Sequence, residues 1–182
     1  MTSITTPAGV ELQIQQSPAV PKLPDPPIDP QLHWLALARQ WATLSTDPLY
    51  RSGAVACRGN DRFMAAASSG IPQHVRPSSA RSKDPKLRPL FTLSAERRLI
   101  AASANQGRCL DGSICYIWPA ITSAADVALL IDSGCIAIIT PDFQPPSRLQ
   151  LDLRVAREMT LEAGVVFTSI TPPPELVSFA AQ

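Results

Sequence analysis

Apolar residues recur along this chain at two spacings, and the spacing switches in a definite order. From Gln31 to Leu44 (QLHWLALARQWATL), Leu32, Leu35, Leu37, Ala38, Trp41 and Leu44 share one face of a 3.6-residue period, which predicts a helix starting at Pro30 or Gln31. Ser45-Thr46-Asp47-Pro48 ends it, because a residue before proline disfavours the helical region. Gly53–Cys57 and Phe63–Ala67 read as strands on either side of a Gly59-Asn60-Asp61 turn, together a hairpin. Residues 70–90 carry Pro72, Pro77, Pro85 and Pro89 and predict a long irregular segment, the kind that in a compact domain is functional or mobile. Ser94–Gln106 reads as a helix stopped by Gly107. After an Asp111-Gly112 turn comes a strand, Ser113–Trp118. Pro119 suits the first turn of the next helix, which runs to Ser133 and stops at Gly134. Cys135–Thr140 is a strand, Arg148–Ala163 a helix stopped by Gly164, and Val165–Ile170 the last strand before Pro172-Pro173-Pro174.

The order is therefore α-β-β-α-β-α-β-α-β. Crossovers of about 13 to 20 residues between the later strands require parallel pairing there. The expected fold class is α/β: a three-layer α/β/α sandwich on a five-stranded mixed sheet, its last two strands parallel and joined by a right-handed crossover. The expected organisation is an extended arm over residues 1–30, one domain over 31–171, and a tail over 172–182.

Composition narrows the class. The chain has 182 residues, one domain's worth, and with 45% apolar residues it can bury a substantial core. Sixteen Lys and Arg against 15 Asp and Glu leave a formal charge of +1, which argues against a general nucleic-acid coat or a surface steered to membranes. The N-terminus lacks the basic and apolar regions of a secretory signal, and no apolar run approaches the ~20 residues of a spanning helix, so a cytoplasmic protein with reduced thiols is the expectation. Cys115 and Cys135 lie in apolar, strand-like runs and read as buried small hydrophobes. Seven of the 19 prolines fall within residues 1–30, giving polyproline II character from Pro18 onward. Two readings of that arm stay open: a linker or tail, and a strap that packs on a neighbouring subunit. Between Arg76 and Arg98 there are seven basic residues, Arg76 and Arg88 among them, opposed only by Asp84 and Glu96. That segment is either a solvated loop or an anion-binding lid.

In their order and spacing these fragments resemble the cytidine/deoxycytidylate deaminase superfamily, closest to its deoxycytidylate branch, over about Gln31 to Ile170. The Ser-x-Asp-Pro and Gly-Ala-Val of that family stand here as Ser45-Thr46-Asp47-Pro48 and Gly53-Ala54-Val55. Its Tyr-Asn-Gly-x-Pro stands as Ser68-Ser69-Gly70-Ile71-Pro72, its His-Ala-Glu as Ser94-Ala95-Glu96, and its Pro-Cys-x-x-Cys as Pro119-Ala120-Ile121-Thr122-Ser123. The apolar helix, Gly and Ile/Val strand of the family stand as Val127 to Ile139, and its closing Ala-Gly-Val turn as Leu161 to Val165.

The resemblance implies a cytidine deaminase-like fold, and the departures from it carry the functional expectation. In the family a His and two Cys hold zinc, and the Glu shuttles protons to the base. The matching ligand positions here are Ser94, Ala120 and Ser123. Alanine has no donor, and neutral serine hydroxyls bind zinc poorly beside thiolate and imidazole, so no metal and no other cofactor is expected. Glu96 alone survives of the catalytic set, and Ser69 stands where the family has its substrate-contacting Asn. Of the two histidines, His33 reads as a surface or capping residue, and His74 lies in the loop that borders the substrate pocket in the family. Three functions follow. The first is a zinc-less homologue that binds a nucleotide or small anion through Ser69, His74, Ser94, Ala120, Ser123, Arg76 and Arg88. The second is an enzyme of metal-independent or unrecognised chemistry, residual cytidine-type deamination included, with Glu96 as general acid or base. The third is an assembly or interaction protein. The family resemblance implies a homo-oligomer in each case.

Overall fold

The computed structural model describes residues 3–5, 11–13, 29–59, 62–144 and 146–177. Strands β1 (Ser3–Thr5) and β2 (Glu11–Gln13) pair antiparallel as a two-stranded sheet within the segment read as an extended arm. The proline-rich stretch of that arm over residues 14–28, and residues 178–182 of the tail, lie outside the described residues; the earlier part of the tail holds a short helix, Pro174–Val177.

The main sheet is built from β3 (Gly53–Arg58), β4 (Arg62–Ser68), β5 (Ile114–Trp118), β6 (Ala137–Pro141) and β7 (Val166–Ile170), in the order β4-β3-β5-β6-β7. The β4-β3 and β3-β5 pairs are antiparallel, and β5-β6 and β6-β7 are parallel. This is the five-stranded mixed sheet that the alternation of periods predicts.

The strands bury both faces, and the two-residue period sorts them. Ala54, Ala56, Cys115, Ile117 and Ile138 belong to one core, with helices α4 (Ala95–Asn105), α5 (Ala124–Asp132) and α6 (Gln150–Glu162) contributing Leu99, Val127, Leu130 and Ala156. Val55, Cys57, Tyr116, Trp118 and Ile139 belong to the other, beneath α1 (Pro30–Thr43). A bulge between Ala56 and Cys57 leaves Met64 without an opposite residue, so Met64 and Ala65 join the same core. The helix α1 buries Trp34 and Ala42 beside Leu35, Leu37 and Ala38, while Leu44, placed on its apolar face by the periodicity, is 59% exposed beyond its C-terminus. Its approach to β3 is very close: a Cβ on Gly53 would lie 2.0 Å from the Ala38 carbonyl oxygen.

Cys115 and Cys135 are buried and free of disulfides, as expected of small hydrophobes. The Cys115 thiol is held well above its ordinary range by its hydrogen bond to Cys135 and by burial. No helix among the described residues is long and apolar enough to cross a membrane.

The structure moves one helix start. Residues 119–123 form a turn rather than the opening of a helix, and α5 begins at Ala124. Ser123 supplies the reason. Its hydroxyl accepts from the Asp126 N–H at 3.2 Å and donates to the Asp126 carboxylate at 2.8 Å, a cap stronger than anything Pro119 offers. The long proline-bearing segment, expected to be irregular, also has local order, with α2 (Ser79–Lys83) and α3 (Arg88–Phe91).

Candidate functional site

A cleft of about 280 Å³ opens at the end of the sheet where β4 finishes and α4 and α5 begin. Its floor is the Ser45–Asp47 corner. There the Ser45 hydroxyl bonds to the Ser69 carbonyl and the Ser69 hydroxyl, and accepts from the Asp47 N–H. Gly70 lies against this corner at φ +139, where a Cβ would lie 2.1 Å from Thr46 Oγ1. Paired hydrogen bonds between Gly70 and Leu93, both 2.9 Å, then tie the strand end to the start of α4.

Three guanidinium groups line the cleft. Arg88 is fixed against Asp47, with Nη1 at 3.1 and 3.0 Å from the two carboxylate oxygens. The Asp47 carboxylate also accepts from the Leu49 and Tyr50 N–H groups, so it is immobile. Arg97 donates through Nε to the buried Asp126. Arg148 lies over the Tyr50 ring at 4.4 Å and forms no ion pair among the described residues. Burial pushes the Tyr50 phenol above its ordinary range, so it stays neutral beneath that cation. Of the residues around the cleft, Arg88 Nε and Ser52 Oγ are buried and have no hydrogen-bond partner among the described residues.

Glu96 sits behind this wall rather than on it. It is fully buried. Its Oε1 accepts from the Thr122 N–H at 2.8 Å and its Oε2 from the Thr122 hydroxyl at 3.1 Å. Burial, and then the nearby negative charge of Asp126, push its carboxyl up to about 7.

The structure brings together Ser69, Ser94, Ser123 and Arg88 of the residues singled out from the sequence, all on this cleft. It separates the others. Ala120 lies on a different cavity, with Phe143 and Leu153. Arg76 lines a small recess beside Phe91. His74 is exposed at a positive φ of 66° and lines neither. The Ser69 hydroxyl accepts from the Ser52 N–H and donates to the Tyr50 carbonyl, so the group at the Asn position is spent on holding the chain. Sequence reasoning missed Tyr50, Ser52, Thr122 and Arg148. Nothing local marks them, because they reach the cleft from three distant segments: Tyr50 and Ser52 from the stretch before β3, Thr122 from the stretch before α5, and Arg148 from a 3-10 turn before α6.

The donor set does not fit a zinc ion. Ser94 caps α4, its hydroxyl accepting from the Arg97 N–H at 3.2 Å, and the Ser123 hydroxyl is taken by Asp126. Ala120 offers nothing and is not on the cleft. A cationic guanidinium, Arg97, also stands beside both serines. Among the described residues no group of three or more His, Cys, Asp or Glu is placed to hold a metal.

No protein-family model matches the sequence, and no curated protein matches it. Solved structures do. The dCMP deaminase from the cyanophage S-TIM5 in apo form superposes with a TM-score of 0.58 at 14% identity, over 77% of this chain and 96% of that one. The same enzyme in complex with dCMP and dUMP gives 0.59 at 15%, over 75% and 93%. Acinetobacter baumannii RibD gives 0.54 at 14%, over 82% of this chain and 37% of that one, so the chain spans little more than a third of that longer protein.

Proposed function

We propose that this protein of cytidine deaminase-like fold binds a nucleotide or similar small phosphorylated ligand in its cleft and does not hold the zinc ion that the family resemblance implies. The observation that carries the reading is Arg148, a guanidinium on the cleft that forms no ion pair with a carboxylate among the described residues and so is suited to a phosphate. The solved complex of the S-TIM5 enzyme with dCMP and dUMP supports a nucleotide as ligand.

The second reading, acid–base chemistry by Glu96, has a carboxyl near 7 in its favour. Geometry weighs against it. Both carboxylate oxygens are engaged by Thr122, and Glu96 has no exposed surface from which to reach a substrate.

Calorimetric titration of the metal-free protein with dCMP, dUMP and inorganic phosphate tests the proposal. Binding of a nucleotide is expected, weakened at least tenfold by Arg148→Ala. No heat from any of the three at millimolar concentration overturns it. Zinc measured after dialysis against a zinc buffer is expected well below one per chain, and a stoichiometry near one sinks the zinc-free part.

A further inference from the structure

A second charged cavity lies at the opposite end of the sheet. Ser52, just before β3, is on the cleft, whereas Arg58, the last residue of β3, lines the other cavity. Likewise α4 starts at the cleft with its cap Ser94 and ends at Asn105, just before Gly107 and Arg108 of the second cavity. Eleven helical residues put the two roughly 16 Å apart.

This second cavity, about 310 Å³, is lined by Arg58, Arg62 and Arg108 together with Phe63, Met64 and Cys109, and among the described residues by no acidic side chain. Three like charges around one space repel one another, an arrangement that an anion relieves. Two of the three are held in place by main chain. Arg58 Nη2 donates to the Asp111 carbonyl and Arg108 Nη1 to the Met64 carbonyl. Each guanidinium carries five N–H groups, so one such bond leaves donors over, already oriented. The last carbonyls of α4 are occupied by the Gln106, Gly107 and Arg108 N–H groups and so do not compete for the arginines. Phe63, 45% exposed and stacked on Trp34 at 6.4 Å, adds an apolar flank.

The geometry points to a second anion site, formed by Arg58, Arg62 and Arg108, that takes the phosphate or pyrophosphate group of a small molecule. Planar forks match phosphate oxygens two at a time. The overall charge of +1 favours a small ligand over a polyanion such as nucleic acid. The site is independent of the cleft and stands or falls without it.

Cys109 provides the reporter. It is the one exposed cysteine of the four, and it lies on this cavity. Its thiolate displaces iodide from either iodoacetate or iodoacetamide, forming a C–S bond as the C–I bond breaks. The ratio of the two rates cancels any change in thiol acidity and reads only the attraction for the anionic reagent. In the wild type, iodoacetate is expected to gain relative to iodoacetamide, and 10 mM pyrophosphate is expected to slow alkylation by iodoacetate. Arg62→Gln, whose side chain makes no structural hydrogen bond among the described residues, is expected to lower the ratio about fivefold and abolish protection. Arg62→Lys should restore part of the ratio, and Arg58→Gln should repeat the loss in a second position. Arg148→Ala, on the cleft, should leave both readings unchanged. A ratio indifferent to Arg62→Gln and Arg58→Gln in folded protein overturns the site, as does absence of pyrophosphate protection. Protection by a DNA oligonucleotide without protection by pyrophosphate overturns the small-ligand assignment.

Discussion

A single residue, Thr122, holds both oxygens of the Glu96 carboxylate, its N–H on Oε1 at 2.8 Å and its hydroxyl on Oε2 at 3.1 Å. Glu96 opens α4, and Thr122 lies in the turn before α5, so this clip joins the two helix starts that frame the cleft. The clip is incomplete compensation. Burial and the neighbouring Asp126 still raise the Glu96 carboxyl from 4.5 to about 7. Stability should therefore depend on pH through this one group.

Glu96 keeps its proton in the folded protein up to about pH 7 but loses it near pH 4.5 when unfolded. The unfolded state thus binds fewer protons between these values, and stability falls as pH rises across that window. The loss is on the order of 3 kcal/mol, levelling off above pH 7. Glu96→Gln keeps the shape and removes the titration. Urea unfolding from pH 4 to 8 should show the wild type losing ground to this variant across the window; parallel curves would contradict the assignment.

Asp126→Asn removes the negative charge that helps raise Glu96. The upper edge of the same window should move below pH 7. The variant also breaks the ion pair with Arg97, whose side chain is 45% exposed and can rehydrate. A window that stays in place would show that burial alone sets the shift.

Thr122→Val preserves the branched shape and deletes the hydroxyl donor. That donor favours the ionised carboxyl, so its removal should raise the Glu96 pKa further. The cost should be largest above pH 7, on the order of 2 kcal/mol for a hydrogen bond to a charged group, and should shrink toward pH 5. Stability curves of variant and wild type at pH 5 and 8 decide it.

Gly53→Ala should be among the most damaging small changes in the chain. The new methyl group would lie 2.0 Å from the Ala38 carbonyl oxygen and 2.5 Å from the Ala42 nitrogen, and neither backbone atom can swing aside. The helix α1 must lift from the sheet, at about 3 kcal/mol or more. A midpoint shift in chemical denaturation measures this, and a neutral result would mean that α1 does not pack this closely.

The five strands of the main sheet, the helices α1, α4, α5 and α6 and the mixed pairing were legible in the sequence, because apolar spacing and crossover length act along the chain. The division of Ala54 and Ala56 from Val55 and Cys57 between two cores was not, because all four are apolar and only the pleat sorts them. The family resemblance implied that Ser94, Ala120 and Ser123 stand at the zinc-ligand positions, and it carried no information on where their side chains lie. A local cap, Ser123 on Asp126, delays α5 to Ala124, and Ala120 stands on a different cavity. The basic stretch was visible as a run of charge, yet only tertiary structure turned Arg88 onto Asp47, 41 residues away, and left His74 exposed. Arg148 and Tyr50, nearly a hundred residues apart, meet because the 3-10 turn that leads into α6 lies against the segment before β3. Period and propensity act over a few residues and determine elements. Charge pairing and cavity lining act through space, and the folded sheet decides them.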